Sequence, residues 1–452
     1  MKDRKLIYTT LITLILIISI VCVLIISAAN STQPEETTAS AVGPAADFTA
    51  SGTAGTSFFE DDACDQIAAN TSTDVKTVHS DTVAESTAEV STASANVSSD
   101  GVIDAAELFT ERDLTQNADL TNAVFYTVSD KEDIVITEEG VYVFSGEASH
   151  MTIYVEAPEA KVQLVLDGVT ITNDNFPCIY VTAADKVFLT STQDNTLTVS
   201  NEFIYDEETD TNTDGVIFSR ADLTMNGTGS LTIVSSENGI VTKDDLKVTG
   251  GSYDITAASK ALEANDSIRI CAGTFQISAG SDGLHAENSD DDALGYIYLC
   301  GGDFTINAGD DGIHANSVVQ IDHGTFYINA AEGIEGTYIQ INGGSIAIQA
   351  SDDGINAGWK SYSYYPTIEI NNGDLTIVMG SGDTDGIDSN GDIIVNGGTI
   401  NVTGNSSFDY DGSAQYNGGT IVVNGQQVNY IPNQMMGGGF GGQNGASGGG
   451  RW

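Results

Sequence analysis

The sequence predicts an all-β protein: a right-handed, single-stranded parallel β-helix with about 21 residues per turn. Three observations carry that prediction. A glycine opens an alternating apolar strand at positions 229, 251, 273, 302, 324, 344, 373, 398 and 419, giving intervals of 22, 22, 29, 22, 20, 29, 25 and 21. Ten residues past five of these glycines stands a second small residue (Gly239, Ala261, Gly283, Gly312, Gly354), with Gly333 one place early in its shorter turn. Glycine is abundant at 49 and proline scarce at 6, and helical periodicity is nearly absent after residue 115. A solenoid stacks its turns, so residues of equal phase form a column. The right hand follows from the usual crossover of parallel strands.

The elements follow in order. Met1–Lys5 is basic, Leu11–Ile26 is almost wholly apolar, and Ser27-Ala28-Ala29 offers a small-residue cleavage site. Counted from Leu6 to Ala29, the stretch is also long enough to remain as a membrane anchor. Either way export to the cell surface is expected, with residues 1–29 as leader. Val21 before Cys22 is too large for a lipidated cysteine. Residues 30–105 are rich in Ser, Thr and Ala and cannot bury a core, so they read as a disordered stalk.

The domain proper spans 106–430. DIVITEEGVYVFSG (133–146) and KVQLVLDGVTI (161–171) read as less regular first coils that cap the solenoid. The regular coils fill roughly 196–425, each with three short strands such as DFTIN, GIHA and VVQI. Phe304, Ile306, Ile313, Val319 and Ile321 are its expected inward residues. Residues 431–452 form a flexible, glycine-rich tail. Cys271 and Cys300 fall on adjacent rungs, within disulfide reach, but in-register neighbours point their side chains alike, which favours buried free thiols.

With 64 acidic and 15 basic residues the formal charge is −49, which excludes nucleic acid and acidic lipid as favoured partners. It favours cations, and the phase places the acids in a column. Preceding the second small residue come Asn238, Lys260, Asp282, Asp311, Glu332 and Asp353, continued by Asp385 and Asp411. Two places after it come Glu263, His285, His314, Glu335, Asn356 and Asp388. Asp310 and Asp352 double two of the aspartates, and Asp383, Asp385 and Asp388 cluster in GSGDTDGIDSNGD. Carboxylates about 4.8 Å apart repel by about 1 kcal/mol in water and several-fold more where water is scarce. A cation between them is therefore expected, and oxygen-only ligands at flexible corners suit Ca2+.

The candidate ligands are Glu263, Asp282, Asp310, Asp311, Glu332, Glu335, Asp352, Asp353, Asp383, Asp385 and Asp388. The two histidines point to a softer metal, but no cysteine accompanies them. A blander reading is that each Asp-Gly simply makes a turn in which glycine supplies positive φ. Lys260 either ends the ladder by pairing with Glu263 or Asp282, or is solvated.

Both 29-residue intervals carry their extra residues at one phase: ENSDDDALGY (287–296) and GWKSYSYYP (358–366). They are expected at the same corner, three rungs or roughly 14 Å apart. Trp359, Tyr362, Tyr364 and Tyr365, beside Lys360, suit sugar faces or an interface, or else fold back on the flank. With Lys260 they complete the candidate carbohydrate-binding set.

The runs NTDGVIFSRADLTMNGTGSLTI, DGLHAENSDDDALGYIYLCGG, AGDDGIHANSVVQI, AAEGIEGTYIQINGG, SDDGINAG and GDTDGIDSNG resemble the carbohydrate-binding β-helix family of clostridial cell-surface proteins. The resemblance covers about 107–428. It implies a right-handed parallel β-helix similar to calcium-dependent pectate lyases, calcium in the Asp-Gly corners, and binding of cellulosic or acidic plant cell-wall polysaccharide without clear catalysis.

The expected function is thus non-catalytic, calcium-dependent polysaccharide binding by a single copy of the chain, held to a membrane only through its N-terminal segment. One alternative is a calcium-dependent lyase acting by β-elimination, for which Lys243, Lys260, Arg269 and Lys360 are the candidate bases. Neighbouring carboxylates would raise the pKa of Lys260, which is wrong for a base. A second alternative is a structural adhesin that calcium only stabilises.

Overall fold

The computed structural model describes residues 103–207, 211–381 and 384–433. The leader, the stalk up to residue 102 with Cys22 and Cys64, the tail from 434 and Asp383 lie outside the described residues.

The described chain is a parallel β-helix with three walls. The first is built from strands such as Asp303–Ala308, Thr325–Ala330 and Ser345–Ala350. Asp311–Ala315, Glu332–Gly336 and Ile355–Ala357 lie in the second wall, and Val318–Ile321, Tyr338–Ile341 and Thr367–Ile370 in the third. Successive rungs pair in register: Phe304 opposes Phe326, which opposes Ile346, which opposes Leu375. The second wall is one 12-stranded sheet, whereas the other two merge into a 22-stranded sheet. They merge because Asp245–Ala257 and Ser267–Ala279 bend from third wall to first without a break.

The core is a set of ladders. Phe304, Ile306, Ile313, Val319 and Ile321 are all buried, as their phase predicts. Tyr253, Phe275, Phe304 and Phe326 stack with centroids 5.1, 4.6 and 4.7 Å apart. Burying each large side chain stabilises by about 1.5–3 kcal/mol, and the period that puts one on every rung makes the core continuous.

Two kinds of glycine set that period, for different reasons. Those at the third-to-first corner, Gly229 excepted, are left-handed; Gly324 has φ 124°, where a Cβ would also sit 2.9 Å from Phe326 Cε2. The Asp-Gly glycines are different, which corrects the expectation of a positive-φ turn. Gly312 is not left-handed and lies within a strand; its Cβ would fall 2.3 Å from Ile328 Cγ2 and 2.6 Å from the Gly333 carbonyl. Its missing side chain lets the second wall close on the first.

The parallel coils begin well before the glycine period, with Val124–Thr127 paired to Tyr142–Ser145. At the N-terminal end, residues 103–117 form a strap across the outer face of the third wall. The backbone N–H of Ile103 donates to Gln320 Oε1 (2.6 Å). Asp113, in the short helix Glu111–Leu114 capped by Thr110, is fully buried against Lys186 (2.6 Å) and Thr224 (2.9 Å). Burial opposes its ionisation, but Lys186 outweighs burial and holds the carboxyl at about 2. At the other end Gln426–Val428 pairs antiparallel with Thr420–Val423. Cys178, Cys271 and Cys300 are free thiols.

Candidate functional site

The second wall's outer face carries two parallel columns. In one, the register runs Val241, Glu263, His285, His314, Glu335, Asn356, Asp388 and Asp409. In the other, Asp311 opposes Glu332 and Asp385 opposes Ser406, while the Asp282 carboxylate accepts from the Asp311 N–H (3.2 Å) and the Asp353 carboxylate from the Asp385 N–H (2.9 Å). Side chains at both positions point outward because the intervening residues, such as Ile313 and Ile334, fill the core.

The column divides into two halves. In the N-terminal half protein cations offset the acids. Lys243 and Lys260 each lie 3.6 Å from Glu263, which places Lys260 with one of its two expected partners. His285 Nδ1 is 2.7 Å from Asp282, and His314 Nδ1 is 2.7 Å from both Asp311 and Glu335. The two imidazoles stack at 4.6 Å, and Lys360 reaches Glu335 at 2.6 Å. Burial works against an imidazolium at His314, yet Asp311 and Glu335 outweigh it and push its pKa up to about 10. Burial likewise opposes ionisation of Glu335, but His314 and Lys360 hold it at about 2. His285 and Asp311 outweigh burial at Asp282 and keep it below the usual range. The triad Asp311–His314–Glu335 is close enough to hold a metal; His314 bridges both carboxylates, yet burial and the charges of Glu335 and Asp282 still raise Asp311 to about 6.

The C-terminal half is different in kind. Burial, then the charges of Glu335, Asp311 and Asp353, raise Glu332 to about 8, with Asn356 as its hydrogen-bond donor. Burial and Asp352, Asp385 and Glu335 raise Asp353 to about 6. Burial and Asp353, Asp385, Asp409 and Asp411 raise Asp388 to about 7. No lysine, arginine or histidine forms an ion pair with these three among the described residues. Thr384 Oγ1, Ser406 Oγ and Asp409 Oδ1 are buried there without a hydrogen-bond partner. Asp353, Asp385, Asp388 and Asp409 thus form an all-oxygen stretch of the column whose charges help raise Asp353 and Asp388, chemistry that suits a hard cation. Among the described residues, however, the two groups already close enough to hold a metal are Asp311–His314–Glu335 and Asp222–Asp244–Asp245.

The structure separates other predicted residues. Asp310 and Asp352 are exposed at the corner before the wall, so each doublet sends one acid into the column and one into solvent. Asp411, expected in the column, lies exposed beyond it; Ser406 takes that phase, and Asp409 takes the phase after Asp388. The sequence reading missed Asp409 because Ser406-Ser407 replaces the Asp-Gly marker. It also missed a second trio, Asp222, Asp244 and Asp245, close enough to hold a metal at the start of the third wall. Arg269 pairs with Asp245 there at 2.7 Å.

The inserted loops meet. Ser361 Oγ donates to the Asp292 carbonyl at 2.6 Å, so the second loop reaches back over the intervening rungs. Tyr364, grouped by sequence with the sugar-binding rings, is instead buried with Tyr296, Tyr298 and Ile103, packed against Leu294. Trp359 and Tyr365 stay half-exposed and meet edge to face at 5.5 Å, and Tyr362 is 85% exposed. Lys360 ties this loop to the column through Glu335.

Parallel coils, an outward acidic column and a loop of exposed rings define the class as a β-solenoid with an acidic outer face. The chain belongs to the family described as carbohydrate-binding domain-containing protein, whose model matches residues 130–383 and 334–428. A protein of that description from Acetivibrio thermocellus is 39% identical over 140 residues, which is 30% of this chain and 48% of the relative. The chain therefore spans about half the length of that relative. A solved structure of a polysaccharide lyase-like protein from C. thermocellum, a gadolinium derivative, aligns with 65% of this chain and 99% of its own, at 25% identity and a TM-score of 0.41.

Proposed function

We propose that this protein is an exported, non-catalytic polysaccharide-binding protein that holds acidic plant cell-wall glycans through calcium. The observation that carries this reading is the C-terminal half of the column. There the charges of Asp385 and Asp352 help raise Asp353, and those of Asp353, Asp385, Asp409 and Asp411 help raise Asp388, while the next loop along the chain carries the half-exposed Trp359–Tyr365 pair. Calcium bound there would supply positive charge and open coordination positions for a uronate carboxylate, so that a chain of net charge −49 can retain a polyanion. Trp359 and Tyr365 would stack on the sugar rings, and Lys360 holds their loop in place. Polygalacturonate matches this site in charge and extension. The apolar segment at Leu11–Ile26 would export the chain and anchor it at the cell surface.

The side chains that a lyase would use as base argue against that activity. Lys260 and Lys243 face Glu263, Arg269 is buried against Asp245, and the contact with Glu335 outweighs burial to raise the pKa of Lys360. A proton-abstracting lysine needs the opposite shift. The test is retention of the protein on immobilised polygalacturonate in calcium and in chelator, with ultraviolet absorbance of the eluate followed for unsaturated product. Retention only with calcium, and no absorbance, is expected. Retention unchanged by chelator removes the calcium reading, and absorbance removes the non-catalytic one.

A further inference from the structure

Three segments outside the repeat meet at one place on the third wall. Ile103, Leu108 and Phe109 of the strap pack with Tyr364 of the second insert, against Leu294 of the first and the outward ring of Tyr298. This cluster is separate from the ladders inside the coils. In a solenoid each turn is steadied by the turns on either side. An inserted loop has no counterpart on the adjoining rungs and must be steadied by something else.

The ring-bearing loop is held by two kinds of contact. Its first half is polar: Lys360 pairs with Glu335 at 2.6 Å, and Ser361 Oγ donates to the Asp292 carbonyl at 2.6 Å. Its second half is held by an apolar contact. Tyr364 is 6% exposed in the strap cluster, whereas Tyr365, the next residue, turns outward and meets Trp359 at 5.5 Å. One peptide link thus separates the ring that is anchored from a ring that is presented, so a displacement of Tyr364 passes to Tyr365 and Trp359.

The strap itself is locked at its far end. Thr224, Lys247, Arg269, Tyr298 and Gln320 form one column in register. The strap follows that column: Asp113 accepts from Thr224 and Lys186 at one end, and the Ile103 N–H donates to Gln320 Oε1 at the other. Thr224 and Gln320 are four rungs apart in that register, or about 19 Å. The charged partners of Asp113, Lys186 and Lys247, both belong to the early rungs.

We propose that the strap is the positioning element of the ring-bearing loop. Asp113 fixes the strap on the third wall, Ile103 and Phe109 seat Tyr364, and Trp359 and Tyr365 are thereby held for their ligand. Release of the strap frees the loop while the coils stay folded. Asp113 and Phe109 act through Tyr364 and are positioning residues. The effect on glycan affinity rests on the function proposed above for these rings; the coupling of strap to loop does not.

The experiment uses the full-length protein carrying Trp452→Phe, which leaves Trp359 as its one indole. Asp113→Asn, Phe109→Ala and the conservative Phe109→Leu are compared at a temperature where circular dichroism shows the coils intact. Acrylamide quenching of Trp359 and tryptic cleavage after Lys360 are measured, with retention on polygalacturonate in calcium alongside. Asp113→Asn and Phe109→Ala should each raise the quenching and speed the cleavage roughly tenfold, through local opening of the loop. Phe109→Leu should restore both toward wild type, since it keeps an apolar group of similar volume in the cluster. Retention should fall in the two loosened variants and recover in Phe109→Leu. A strap with a structural role alone would lower the melting temperature and leave quenching and cleavage at wild-type values below it. That result, in either loosened variant, would overturn the proposal, as would Phe109→Leu behaving like Phe109→Ala. Faster cleavage with unaltered retention supports the coupling and removes the rings from the glycan reading.

Discussion

Calcium should stabilise this protein more at pH 8 than at pH 5. The perturbation is addition of calcium to the decalcified protein, and the magnitude follows from Glu332, Asp353 and Asp388. Their carboxyls are raised from 4.5, 3.8 and 3.8 to about 8, 6 and 7. Below about pH 3 all three are protonated whether the chain is folded or unfolded, and they cost nothing. As pH rises the unfolded chain releases these protons first, so the cation-free fold loses stability progressively until about pH 8. At face value Glu332 alone amounts to about 5 kcal/mol. The three are half-buried, and screening reduces the cost to about 1 kcal/mol each, or about 3 kcal/mol together.

A bound cation removes that cost. With an unfolding entropy of about 2.1 cal/mol/K per residue over the described chain, 3 kcal/mol corresponds to roughly 4 °C. About a third of that cost is already present at pH 5, where the unfolded carboxyls have ionised, so scanning calorimetry with and without calcium should show a gain about 3 °C larger at pH 8 than at pH 5. Asp353→Asn with Asp388→Asn should raise the cation-free melting temperature at pH 8 and abolish the response to calcium. An equal gain at both pH values, or a lower cation-free melting temperature in the double variant, would refute the reasoning.

Three further outcomes are expected. Trp359→Ala should weaken polygalacturonate binding without moving the melting temperature, whereas Tyr364→Ala should cost about 3 kcal/mol because its ring is buried in the cluster beneath the loops; calorimetry and retention read the pair. Asp113→Asn strands Lys186 in a buried site and should cost about 3–5 kcal/mol in denaturant unfolding, loosening the strap from the third wall. Gly312→Ala should destabilise by at least 1–3 kcal/mol in the same assay, since its Cβ meets Ile328 and the Gly333 carbonyl.

How far the molecule could be read from its sequence follows from where its signals are local. The coils after Gly229 were legible because eight of the nine repeated glycines occupy left-handed corners that other residues avoid. The earlier coils also have left-handed glycines at Gly146 and Gly168, but Thr192-Gln193 stands at that corner on the following rung, so the mark is interrupted before Gly229. The acidic column was legible by phase as far as Asp388, and lost at Asp409 where Ser406-Ser407 replaces Asp-Gly. Phase did not show which acid of each doublet faces the column. Contacts made by the N-terminal strap left no pattern at all: Ile103 with Gln320 and Asp113 with Lys186 each join residues without shared periodicity, whereas the phase of the two inserts put Ser361 and Asp292 at one corner without showing that they touch. The division of the column into compensated and uncompensated halves depends on Lys360, and its approach to Glu335 is set by a loop fold that spacing does not encode.

The most direct test is a crystal structure of the protein grown with calcium, with the ion located by anomalous scattering. The account predicts an ion among Asp353, Asp385, Asp388 and Asp409, with the His314 imidazole still bridging Asp311 and Glu335. An ion at Asp222, Asp244 and Asp245 alone, or no ion on the second wall at saturating calcium, would contradict it.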